Sequence, residues 1–172
     1  MYKQLITTCF ICMIPFFIIA QDITGFWKGT FVMNRACFPV NNIELQITMN
    51  GDSVYGNSYH YLDLDNYVKK HFAGTYNASL KKLVIAEDVV TTFKIPAHCK
   101  VCIKKYDLDY RRNVNQEYLE GNWGSVLTGS SIDCESGPIT LTRVRESAFK
   151  EIPEIIVDTG TIRLDFYDNG QI

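Results

Sequence analysis

Eight short segments in which apolar and polar residues alternate, set apart by turn signals, constrain this chain more than any other feature. A period of two is the pleat of a β-strand, and only one short stretch has helical character. The segments run from Ile23 to Met33, Asn42 to Met49, Ser53 to Leu62, Tyr67 to Asn77, Lys82 to Val90, Lys100 to Arg111, Gln116 to Leu127 and Pro138 to Val144. In the second, Ile43, Leu45, Ile47 and Met49 alternate with Glu44, Gln46 and Thr48, which gives one buried and one wet face. Asn50-Gly51-Asp52 then supplies the positive φ of a tight hairpin turn. Inward parity selects Gly25, Trp27, Gly29, Phe31 and Met33 on the first segment. It selects Tyr106, Leu108 and Tyr110 on the sixth, Leu119, Gly121 and Trp123 on the seventh, and Ile139, Leu141 and Arg143 on the eighth. The third is ambiguous, because Tyr55, Tyr59 and Tyr61 oppose Val54, His60 and Leu62. Eight antiparallel strands that close on themselves leave no edge open to aggregation and enclose room for side chains or one small ligand. The expected fold is therefore all-β, an eight-stranded antiparallel up-and-down barrel.

The chain of 172 residues divides around that barrel. Residues 1–20 have the layout of a signal peptide: Lys3, an apolar run from Cys9 to Ile19, and Ala20 before Gln21 and Asp22. Pro15 interrupts the run, which is shorter than the ~20 apolar residues of a spanning helix. Secretion, or retention in the periplasm or at the cell surface, is the implied destination, with no membrane span in the mature chain. Residues 21–146 make the barrel. Residues 147–160 make a linker with a short helix, the helical character starting at Arg145 and ending before Pro153. Residues 161–172 begin a second, truncated β element, since Ile162, Leu164 and Phe166 alternate before Asp168-Asn169-Gly170 and the return strand is missing. Against 17 Lys and Arg stand 19 Asp and Glu, a formal net charge of −2, which attracts neither nucleic acid nor an anionic membrane.

Gly25-Phe26-Trp27 opens the first strand, and Arg143 ends the last. A G-x-W triplet, seven further strands and a terminal Arg resemble the lipocalin and wider calycin group. The resemblance implies that Trp27 plugs the closed end of the barrel. Arg143 would lie across its ring and bond the carbonyls of the N-terminal segment, a cation–π contact with guanidinium hydrogen bonds. The tail resembles a family of secreted bacterial proteins in which a small β domain follows such a barrel. Gly25, Trp27 and Arg143 are structural in this reading and name no ligand.

Four of the six cysteines lie beyond the leader: Cys37, Cys99, Cys102 and Cys134. In an exported chain an even count reads as two disulfides. All four fall in or beside loops at one end of an up-and-down barrel. The favoured pairing joins Cys37 to one of Cys99 and Cys102, and Cys134 to the other. His98 beside that pair, with His60 and His71, admits a zinc site, but zinc sites usually show two spaced ligand pairs and this chain has one. No metal is expected, and no cofactor. No G-x-S-x-G, H-E-x-x-H or phosphate loop occurs, so the chain does not read as an enzyme. Aromatic side chains remain, and tyrosines suit a sugar, lipid or peptide partner because each joins apolar area to one hydroxyl. Tyr59, Tyr61, Tyr67 and His71 are the candidate ligand contacts, at the barrel mouth. The function read from the sequence is an exported binding module for a small apolar or sugar-like ligand, or for an extracytoplasmic protein. The alternative is a structural or adhesive β domain of a larger secreted protein, with no cavity. A metal enzyme comes third.

Overall fold

The computed structural model describes residues 22–34 and 38–149. They form β1 (Gly25–Val32), β2 (Val40–Asn50), β3 (Ser53–Asp63), β4 (Asn66–Asn77), β5 (Lys82–Lys94), β6 (Cys102–Arg112), β7 (Glu117–Leu127) and β8 (Asp133–Val144). Each strand pairs with the next, and β8 returns to β1 through Phe26↔Val144, Trp27↔Arg143 and Gly29↔Leu141, so the antiparallel barrel is closed. The fold is the one the alternation predicts. The expected signal peptide, Cys37 and the expected terminal β segment lie outside the described residues. The rest of the stretch expected to hold a short helix also lies outside them, and over Arg145 to Phe149 the backbone bends. Its polar groups are satisfied from the side: the Ala148 amide donates to Glu44 Oε2 at 2.8 Å and the Phe149 amide to Ser147 Oγ at 2.8 Å.

The lower part of the barrel is packed. Trp27, Leu45, Phe72, Ile85, Leu108, Leu119 and Leu141 are all 0 to 1% exposed and belong to one apolar cluster. Burial of such side chains is worth about 1.5 to 3 kcal/mol each and is the main stabilising term here. At Gly56 a Cβ would stand 1.8 Å from the Gln46 carbonyl oxygen and 3.0 Å from the Phe72 ring, so only glycine lets β2 and β3 approach closely over that ring.

Closure is uneven around the perimeter. β5 pairs with β6 only from Lys82↔Asp109 to Ala86↔Lys105. Beyond that, the upper half of β5 pairs with β4 alone, across two register shifts at Lys69/Lys70 and His71/Phe72. The wall therefore parts between β5 and β6 toward the end that carries the cysteines.

Candidate functional site

Two backbone groups of β6 lose their ladder partners where the wall parts, and buried side chains replace them. The Lys104 amide donates to Glu87 Oε2 at 2.8 Å, and Lys70 Nζ donates to the Cys102 carbonyl at 2.8 Å and to Glu87 Oε2 at 2.6 Å. An orphaned backbone group inside a protein costs about as much as a lost hydrogen bond, so this pair closes the seam in place of the sheet. Lys70 is 1% exposed and Glu87 4%.

Glu87 is the centre of the network. Its Oε1 accepts from the Ser58 hydroxyl at 2.8 Å, from His60 Nε2 at 2.5 Å and from the Tyr106 hydroxyl at 3.1 Å. Burial alone would raise its pKa, but Lys70 and His60, with a further contribution from Lys104, hold the carboxyl well below the usual range. Burial, then Lys70, pushes His60 down to about 3, against the pull of Glu87, so its ring is neutral at pH 7. Nε2 carries the proton toward Glu87, and Nδ1 is buried without a partner among the described residues. Burial and Glu87 push the Tyr106 hydroxyl well above its ordinary value.

Lys104 is the other buried cation, 4% exposed. Its Nζ lies over the rings of Phe31 at 5.0 Å and Trp123 at 5.6 Å, and it has no carboxylate or hydrogen-bond acceptor among the described residues. Burial, then the charge of Lys70, lowers its pKa to about 7.

Above this polar floor lies a cavity of about 400 Å³, within the range of small-molecule sites. Met33, Phe38, Val68, Ile95, Leu127 and Ile132 give it apolar walls, and His60, Lys70 and Lys104 reach it from below. The rim is covalently fixed. Cys102 and Cys134 form a disulfide joining the start of β6 to the start of β8, and Cys99 is disulfide-bonded as well. These sulfurs are therefore not thiolates available to a metal. The expected link from Cys134 to the Cys99/Cys102 pair is present, through Cys102.

The tyrosines named from the sequence are placed elsewhere. Ser58 and His60 occupy the inner parity of β3, so Tyr59 and Tyr61 face outward, and Tyr67 and His71 do the same on β4. Phe149 stacks on Tyr59 at 4.0 Å with planes 11° apart, and its ring stands 5.1 Å from Tyr61 and 5.6 Å from Tyr67. His71 pairs with Asp88 at 3.0 Å on the exposed surface. Tyr59, Tyr61 and Tyr67 form an outer face against which Phe149, of the segment after β8, packs; His71 stands exposed beside Asp88, and none of the four lines the cavity. The same segment buries Glu44, which accepts from the Ser147 hydroxyl and pairs with Lys28 at 3.3 Å.

Gly25, Trp27 and Arg143 stand as the resemblance implies. Trp27 is 0% exposed and donates from Nε1 to the Ile23 carbonyl at 2.9 Å. Arg143 covers its ring and bonds the carbonyls of Asp22 and Thr24. Gly25 has φ 136°, which disfavours any side chain, and a Cβ there would stand 3.4 Å from the guanidinium. This arrangement is consistent with a lipocalin-like barrel. Compared against protein-family models and curated proteins, the chain matches none.

Proposed function

We propose that this chain is an exported, lipocalin-like binding module that holds one small, largely apolar ligand in the cup at the disulfide-bearing end of the barrel, and that it is not an enzyme. The observation that carries the reading is the cavity of about 400 Å³ above a hydrogen-bonded polar floor, with apolar walls and a rim stapled by Cys102–Cys134. A fixed rim lowers the ordering cost of binding. Disulfides persist in oxidising compartments, which supports export. The walls favour an apolar ligand over a sugar. The competing reading, a structural or adhesive domain, calls for an interior packed to the rim, whereas here close packing stops below Lys104.

Native mass spectrometry of the protein isolated from its own source tests the proposal. A bound small molecule is expected, and it should be lost when Val68→Trp or Ile95→Trp fills the cup. An unliganded mass, with no uptake of a neutral apolar probe by the purified protein, would overturn it.

A further inference from the structure

We infer that the ligand is an apolar monocarboxylic acid whose carboxylate seats on the Lys104 ammonium; this rests on the ligand-holding reading above. The argument begins from charge. The buried cations that line the cavity are Lys70 and Lys104, with His60 neutral; Glu87 answers Lys70 from behind the lining, and the exposed Lys100 and Asp133 at the rim carry one charge of each sign, so one cation is in excess. Glu87 cannot serve Lys104, because both of its oxygens are taken by Ser58, His60, Tyr106, Lys70 and the Lys104 amide. The Lys104 ammonium is left with two ring faces, which attract a cation but accept none of its hydrogen bonds in the strong sense of an oxygen.

A buried ammonium without an anion is costly, and an anion arriving from the cavity offsets that cost. The rings of Phe31 and Trp123 hold the stem in place, so little side-chain freedom is lost when the anion arrives. One excess charge matches one carboxylate. A doubly charged phosphate would bring a second negative charge near the ionised Glu87 with no second unpaired buried cation to meet it, since Lys70 is paired and Lys100 is exposed at the rim. The remaining ligand surface meets Met33, Phe38, Val68, Ile95, Leu127 and Ile132, which suits an alkyl or aryl body.

Calorimetric titration of the disulfide-intact protein with dodecanoate and with 1-dodecanol separates this inference from the reading beneath it. The two probes share a chain and differ in the head group. Dodecanoate is expected to bind at least tenfold more tightly than the alcohol, and Lys104→Met is expected to bring the two affinities within twofold. Lys104→Gln gives the same comparison should the Met variant fold poorly, with circular dichroism and intact disulfide mass verifying the fold. Equal binding of both probes by the natural sequence, or a preference that survives the loss of Lys104, would overturn the carboxylate site while leaving the apolar cup in place. Failure of both probes would overturn both.

Discussion

The guanidinium carbon of Arg143 lies 5.6 Å from the centre of the Trp27 ring, and the same side chain bonds the Thr24 carbonyl and, at 2.5 Å, Glu117 Oε2. One residue of β8 thereby ties the plug of the closed end to the segment before β1 and to the start of β7.

Trp27→Ala removes the largest side chain of the packed half and is expected to cost about 3 to 5 kcal/mol. Arg143→Ala should cost less, about 1 to 3 kcal/mol, because its partners are partly solvated. Urea denaturation of both variants and of their combination checks the contact. The double variant should be less destabilised than the two losses added together, and strict additivity would mean the two side chains do not interact.

Glu87→Gln or Lys70→Met leaves a buried charge without its partner and should cost about 3 to 5 kcal/mol. The loss should be local in its signature. The Lys104 amide, bonded to Glu87, should exchange with deuterium faster in Glu87→Gln, while amides of the packed end keep their protection relative to global stability. Uniform loss of protection would count against a role specific to the seam.

The disulfide between Cys102 and Cys134, 32 residues apart, should contribute roughly 3 to 4 kcal/mol by the loop-entropy argument. A thiol reagent under denaturing, non-reducing conditions is expected to find no free sulfhydryl among Cys37, Cys99, Cys102 and Cys134 in the protein isolated from its own source. Two titratable thiols would leave the Cys102–Cys134 link intact but remove the second bridge.

Two buried bases give stability an unusual dependence on pH. His60 falls from 6.5 to about 3 on folding, so between those values the unfolded chain binds the extra proton and stability declines as pH drops. Glu87, lowered from 4.5, adds a loss in the same direction but at lower pH. His60→Asn should therefore flatten the slope between pH 5 and 6.5 in particular. Lys104, lowered from 10.5 to about 7, makes the unliganded protein gain stability as pH rises above 7, and Lys104→Met should abolish that gain. Denaturant midpoints from pH 5 to 9.5 read both effects, and a flat profile across the range would contradict both.

If the cup and not the outer tyrosine face receives the ligand, Tyr61→Phe and Tyr67→Phe should leave dodecanoate affinity within twofold. Phe149→Ala should instead lower thermal stability by uncovering Tyr59, which is 3% exposed beneath it. A tenfold loss of affinity in either tyrosine variant would return the site to that face.

The barrel itself was legible because the first, second, sixth, seventh and eighth strands carry their inner face in their alternation. The third does not, since its outer face is nearly as dry as its inner one. Phe149 covers Tyr59 and Tyr61, so burial no longer distinguishes odd positions from even ones. The misplacement of the candidate tyrosines follows from that covering, which involves residues some ninety positions downstream and leaves no local trace. Lys104 was within reach: continuing the inward parity of Tyr106, Leu108 and Tyr110 back by two lands on it, and the parity of Leu83 and Ile85 carried forward lands on Glu87. What hid them is the assumption that charges face water. β5 and β8 also outrun their expected limits, to Lys94 and from Asp133. Between β7 and β8 the Ser125 hydroxyl of β7, donating to the Glu135 carbonyl of β8 at 2.9 Å, carries the pairing across a register irregularity that no turn signal announces.

The seam between β5 and β6 bears on how such a barrel can diversify. A main-chain ladder is built from groups common to nearly every amino acid, so substitution rarely widens or narrows it. Here the last rungs are written in side chains, those of Lys70 and Glu87, and side chains are heritable one codon at a time. Along that one line the circumference of the mouth is open to selection, while the Trp27 end keeps its dimensions. Descendants of this fold can thus resize the entrance without re-solving the problem of folding.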